Sequence, residues 1–135
     1  SQLDRLDGFI ASRRHNFNSL KAGLAELEDV FILPEATAHS DPSWFGFPLT
    51  VREGAPFDRR ALVMHLDAHR IGTRQLFGGN LLRQPYMAAR PHRAVGSLAN
   101  SDAVMNRTFW VGVYPGLGDP AIDYMVDTIR SFVRG

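Results

Sequence analysis

The chain has 135 residues, 44% of them hydrophobic and 21% charged, with a net charge of +1 at neutral pH, a size and balance that fit one globular domain. Nothing here gives the electrostatic footprint of a nucleic-acid binder, the apolar runs fall far short of the roughly 20 residues that cross a bilayer, and no charged leader precedes an apolar core, so the expectation is a soluble cytoplasmic protein with neither membrane nor nucleic-acid partners. The absence of cysteine excludes disulfides, thiolate metal ligands, cysteine nucleophiles and an iron-sulfur cluster held by this chain alone.

From Leu3 to Leu27, apolar residues recur at steps of three and four (Leu3, Leu6, Ile10, Phe17, Leu20, Leu24, Leu27), broken only where Arg13 stands on the stripe. This spacing predicts a long amphipathic helix. At about 1.5 Å per residue it outruns one small core, so part of its stripe is free to face another domain or subunit. Pro34 to Pro42 reads as a loop. Trp44, Phe45, Phe47, Leu49 and Val51 then form a strand, with Pro48 indicating an edge position or a bulge. Asp58 caps a second helix carrying Ala61, Leu62, Val63 and Leu66 on one side as far as His69 and Arg70. Ile71 to Phe77 fits a short strand, closed by Gly78, Gly79 and Asn80. Residues from Asn80 to Leu98 lack periodicity and read as loop with a helical turn. Asn100 or Ser101 caps a short helix through Met105, and Phe109 to Tyr114 makes a further strand. After a turn at Pro115 to Gly118, Asp119 as N-cap and Pro120 as first helical residue open a last helix with Ile122, Met125, Val126, Ile129, Phe132 and Val133 on one face. The order predicts an α+β fold, with helices on one face of a small, mainly antiparallel sheet.

Few residues carry obvious chemistry. His65 and His69 share a helix face at zinc-ligand spacing, but Leu66 stands where a catalytic glutamate would be, so no metal site is expected. No nucleophile elbow is present, and Asp67, Asp102 and Asp123 read as capping or ion-pairing groups rather than acids or bases. Lys21 is the only lysine and a poor candidate for Schiff-base chemistry. Gly116 and Gly118 ahead of the last helix could cradle a phosphate, but Asp119 would repel it. Trp44, Phe45 and Trp110 read as core aromatics. The segment Gly72 to Tyr86 (GTRQLFGGNLLRQPY) differs, being polar where a small domain could be apolar. Arg74 offers a fork of donors, Gly78 and Gly79 permit close approach, and Asn80, Arg83 and Gln84 add directional groups. These point to a binding loop for an anionic, hydroxyl-rich ligand.

Three strings, PSWFGFPLTV (Pro42 to Val51), IGTRQLFGGNLLRQPYM (Ile71 to Met87) and NSDAVMNRTFWVGVYPGL (Asn100 to Leu117), make the chain resemble the C-terminal region of the nucleotide-sugar aminotransferase and dehydrase family, nearest to the CDP-4-keto-6-deoxyglucose 3-dehydrase type. The resemblance implies the small C-terminal domain of the pyridoxal-phosphate (PLP)-dependent aminotransferase architecture (fold type I), with residues 1–27 as a long linker helix and 28–135 as the small domain. It also implies that the chain, which begins at Ser1, is a piece of a longer enzyme and inactive alone. The implied reaction is loss of the C3 hydroxyl from a CDP-4-keto-6-deoxyhexose in lipopolysaccharide sugar biosynthesis. Pyridoxamine phosphate would be held mainly by a large domain outside this chain, where a histidine replaces the usual lysine. A [2Fe-2S] cluster, not ligated here, would draw electrons from a flavin or iron-sulfur reductase. The implied partners are the nucleotide sugar, the large domain, that reductase and a second subunit in a homodimer. By match to the motif TR-x-x-x-G-G-N-L-x-R-Q-P, Arg74, Gly79, Asn80, Arg83 and Gln84 are carried over as substrate-binding residues, with His65 as a lesser candidate and no catalytic residue in the chain. The rival expectations are a PLP-dependent sugar aminotransferase, a GDP-ketosugar 3-dehydrase, and a non-enzymatic interaction module docking through its first helix.

Overall fold

In the computed structural model, which describes residues 2–135, the alternation of apolar residues turns every second side chain of two strands inward. In β2 (Gly46–Val51) these are Phe47, Leu49 and Val51, all buried. In β4 (Thr108–Gly112) they are Phe109 and Val111, and the antiparallel register sets Phe47 opposite Val111 and Leu49 opposite Phe109. The short strands β1 (Phe31–Ile32) and β3 (Thr73–Gln75) flank this pair, giving a four-stranded sheet in the order β1-β2-β4-β3 with every neighbour antiparallel.

Three helices close the inner face. From α1 (Leu6–Leu24) come Phe17, Leu20 and Leu24, from α2 (Arg59–Ala68) Leu62 and Leu66, and from α4 (Asp119–Arg134) Ile122, Met125, Val126 and Ile129. With the inward strand residues they form one core, each fully buried side chain contributing roughly 1.5–3 kcal/mol before the entropy of ordering it is counted. Gly23 brings α1 and α4 together, since a Cβ there would meet Val126 Cγ2 at 2.7 Å. Buried Asn16 donates to the carbonyls of Tyr114 (3.1 Å) and Leu117 (3.2 Å), tying α1 to the turn before α4.

The elements differ from the sequence expectation at their ends, for local reasons. The first helix is α-helical only over α1, with 3-10 turns at Gln2–Arg5 and Ala25–Leu27. Its early stripe residues Leu3 and Leu6 stay exposed. The two-residue β1 was not anticipated, being too short to show a period. Pro48 lies on an interior strand, but β1 pairs only with Thr50 and Val51, so β2 is unpaired on that side where the proline ring sits. The expected strand over Ile71 to Phe77 shrinks to β3, and Ala61 is exposed rather than inward.

Two predicted caps are corrected. The helix α3 (Ala99–Arg107) starts before Asn100 and Ser101; Leu98, with left-handed φ of 55°, precedes it, and Ser97 Oγ accepts from the Ala99 N–H. Gly118, not Asp119, occupies the N-cap of α4, which leaves the Asp119 carboxylate in the first turn to pair with His15 of α1 (2.6 Å). Asp58 does cap α2, accepting from the Ala61 N–H at 2.8 Å. Among the described residues, no helix is long and apolar enough to cross a membrane.

Candidate functional site

Between β3 and α3 the chain has no regular period, and polar side chains hold its shape instead. Gly79 adopts φ of 59°, in the left-handed region glycine tolerates, and a Cβ there would lie 2.7 Å from Met105 of α3. This close approach seats the bend on α3. Asn80, 4% exposed, accepts from the Leu82 N–H (3.1 Å), capping the 3-10 turn Leu81–Arg83, and donates through Nδ2 to Asp102 Oδ1 (2.8 Å). Arg83 closes a two-pronged pair on the same carboxylate, Nε to Oδ1 at 3.1 Å and Nη2 to Oδ2 at 3.0 Å. Gln84 Nε2 donates to the Gly78 carbonyl (2.8 Å). Gly79, Asn80, Arg83 and Gln84 are thus brought together in one closed bend.

Asp102 is the residue that sequence reasoning missed as the anchor of this bend, although an ion-pairing role was expected for it. The hydrogen bond from Arg83, then that from Asn80, holds its carboxyl below the usual carboxylate range, and the same pair raises the already high value of Arg83. The chemical signal was a buried amide and a guanidinium with no local carboxylate to share.

Arg74 lies apart from the bend. It is exposed on β3 opposite Trp110, and its Nη1 donates to the carbonyl of its neighbour Thr73 (2.8 Å). The outer sheet face beside it is aromatic. Phe45 and Phe77 are 65% and 80% exposed, and with Trp44, Pro48, Leu76 and Trp110 they border an open depression of about 420 Å3. Phe45 is therefore not a core residue as expected. It precedes β2 and tilts against Trp110, ring centres 5.0 Å apart. Trp110 is half-buried, and its Nε1 is buried without a hydrogen-bond partner. Trp44 does join the core margin, stacked on Phe17 at 3.9 Å.

His65 belongs to neither group of contacts. It lies on α2 against Phe132 (5.0 Å) and His69 (4.2 Å), with a buried Nε2 lacking a partner. The His69 ring bonds the His65 carbonyl (2.8 Å), and among the described residues no group of three or more histidine or carboxylate side chains converges on a metal position. The amine of Lys21 is paired with Glu35 at 3.0 Å.

The architecture is that of a small α+β domain of the PLP-dependent aminotransferase fold. It superposes on an Escherichia coli GDP-4-keto-6-deoxy-D-mannose-3-dehydratase solved with bound hydrated PLP (TM-score 0.84, 22% identity, 95% of this chain and 32% of that one), a likeness of fold alone. The family model of the DegT/DnrJ/EryC1/StrS aminotransferases matches residues 1–130, and the chain belongs to that family. It is 50% identical over 132 residues to the lipopolysaccharide biosynthesis protein RfbH of Salmonella typhimurium, covering 98% of this chain and 30% of that protein. It is likewise 50% identical over 133 residues to the dTDP-4-dehydro-2,6-dideoxy-D-glucose 3-dehydratase of Saccharopolyspora spinosa, covering 98% and 29%. The chain therefore spans less than a third of the length of these relatives.

Proposed function

We propose that this chain is the substrate-closing domain of a pyridoxamine-phosphate-dependent dehydrase that removes the C3 hydroxyl of a CDP-4-keto-6-deoxyhexose, on the way to a lipopolysaccharide dideoxysugar. The observation that carries the reading is identity of 50% along nearly the whole chain to RfbH and to a 3-dehydratase. In this reading residues 1–27 are the connecting helix and 28–135 the closing domain, within a cytoplasmic homodimer. The cofactor, held by the larger part of the enzyme, would supply a pyridinium ring that delocalises the electron pair left when a proton is removed, the pair that expels the C3 hydroxyl as hydroxide. A [2Fe-2S] cluster, for which this chain has no cysteine ligand, would belong to that larger part and supply electrons received from a reductase.

The residues of this chain bind and shield. The aromatic depression on the outer sheet face excludes water from the sugar when the domain closes, and Arg74 supplies charge-assisted donors to its anionic part. The bend from Gly79 to Gln84 borders the same ligand, and its bonds to Asp102 fix its shape before substrate arrives, so less ordering remains to be done on binding. His65 takes no part.

The test is the full-length enzyme with pyridoxamine phosphate, a reducing system and the CDP-ketosugar. The expected result is loss of the C3 hydroxyl by the whole enzyme and none by the 135-residue chain alone. Transfer of an amine from an amino donor would replace this reading with a sugar aminotransferase. Turnover of the GDP-ketosugar in place of the CDP-sugar would overturn the nucleotide assignment, and turnover by the isolated chain would overturn the closing role.

A further inference from the structure

A recess of about 480 Å3 opens where α2 ends, beside the first turns of α4. The pairing of β3 with β4 stops at Thr73 and Val111, and the residues just past that pair, Gly72 and Gly112, both line the recess. A Cβ on either would meet no atom within 4 Å beyond its chain neighbours, and neither glycine has a left-handed φ. Neither packing nor backbone conformation therefore requires glycine at these two places; its effect there is to leave room. Two residues before Gly72 the preference is inverted. Arg70 follows α2 with a left-handed φ of 59°, its N–H donating to the Asp67 carbonyl and the Ile71 N–H to the Leu66 carbonyl, both at 2.9 Å. In this helix-ending arrangement the left-handed residue is commonly glycine. The chain keeps an arginine there at a backbone cost, and that arginine lines the recess.

The chemistry of the walls selects the ligand. Tyr114 and Tyr124 line the recess and are 56% and 50% exposed. Both are held: the Tyr114 ring lies against Gly116, where a Cβ would collide with it, and the Tyr124 hydroxyl donates to the His69 carbonyl (3.3 Å). Fixed phenol rings beside the apolar Leu117 and Met125 suit a planar aromatic body. Arg70 sets the sign of the charge, since no aspartate or glutamate lines the recess among the described residues. A cation is disfavoured there, whereas the guanidinium fork matches the two oxygens of a carboxylate. The volume lies in the range of small-molecule sites, roughly 300–1,000 Å3. We infer that this recess binds a small aromatic carboxylate, its ring against Tyr114 and Tyr124 and its carboxylate on Arg70. None of these residues belongs to the bend, to the aromatic depression or to the neighbourhood assigned to Arg74, so the site stands apart from the function proposed above.

The test titrates indole-3-acetate into the full-length protein by calorimetry, beside the neutral indole-3-acetamide and the non-aromatic cyclohexylacetate. Indole-3-acetate is expected to bind saturably, and each of the other two at least tenfold more weakly. Arg70→Gly removes the guanidinium and suits the left-handed backbone, and Gly72→Val places a side chain in open space. Each should weaken indole-3-acetate at least tenfold, with a melting temperature not lowered in Arg70→Gly, whereas Arg93→Ala, at an exposed arginine elsewhere, should leave binding within twofold. Absence of saturable binding, equal binding of indole-3-acetate and either companion, or unchanged binding in Arg70→Gly or Gly72→Val overturns the site. Displacement of indole-3-acetate by CDP also overturns it, because the ligand would then occupy the sugar-nucleotide site of the function proposed above. Failure of the full-length protein to dehydrate the CDP-ketosugar removes that function and leaves this site in place.

Discussion

Arg83 of the bend around Asn80 and Arg74 of β3 lie in one continuous segment, yet the fold treats the two side chains in opposite ways. In the bend, Arg83 closes both prongs of its fork on Asp102, and Asn80 takes a further position on that carboxylate. Arg74, with Arg59 and Arg60 of α2, lines a recess of about 500 Å3 along which no carboxylate stands among the described residues. Arginine as a residue type does not distinguish the two. What separates a group that builds the fold from one left available for a ligand is which of its donors the tertiary structure has already satisfied.

Substitutions test this contrast, the largest effect first. Gly79→Val forces a β-branched residue into a left-handed conformation, costing roughly 1–2 kcal/mol, and drives its Cβ into Met105, adding roughly 1–3 kcal/mol for overpacking. Gly54, with φ of 84° and open space where a Cβ would go, is the control: Gly54→Val should show only the backbone part. Urea midpoints compare them, and equal losses would mean that the bend does not depend on its seat against α3.

Asn80→Ala removes a cap and a buried amide together, and should lower stability by about 1–2 kcal/mol, read as a shifted unfolding midpoint with faster exchange of the Leu82 N–H. An unshifted midpoint would make the bend ornamental to the fold.

Acid weakens the bend. Because the Asp102 carboxyl is held below its ordinary value in the folded chain, the stability it contributes is fully present above the usual carboxylate range. It is lost as pH falls through the lower folded value. Exchange of the Leu82 N–H should therefore quicken only in strongly acidic solution, and Asp102→Asn should abolish that dependence. Smallest of all is the stability effect of Arg74→Ala, expected within about 0.5 kcal/mol, whereas Arg83→Ala should measurably lower the melting temperature by leaving Asp102 without its fork.

Much of this architecture could be read in advance, and the exceptions share a cause. The 3.6-residue period of Ile122, Met125, Val126 and Ile129 and the alternation in β2 and β4 are local signals, and each produced the element expected. The two-residue β1 carries no period, and the start of α3 is set by a left-handed Leu98 that no propensity favours. Gly118 takes the cap predicted for Asp119, whose carboxylate meets His15, a residue 104 positions away. The candidate site divides the same way. The string GGNLLRQP stands out as unusual, but its anchor Asp102 lies 19 residues beyond Arg83, and the meeting of Arg59, Arg60 and Arg74 exists only once α2 lies beside β3. Phe45 reads from the sequence as a core aromatic of the strand, like Trp44 and Trp110; only the sheet's orientation shows it turned outward.

The stack of Phe17 on Trp44, nearly parallel at 3°, joins with the hydrogen bonds of Arg13 to the Trp44 carbonyl (3.0 Å) and of Arg14 to the Pro42 carbonyl (3.2 Å). Together they clasp the first helix to the stretch of chain that carries Phe45. Any swivel of that helix is therefore geared to the aromatic depression on the opposite side of the sheet, and a mechanical pull at one surface of the molecule would be felt at the other.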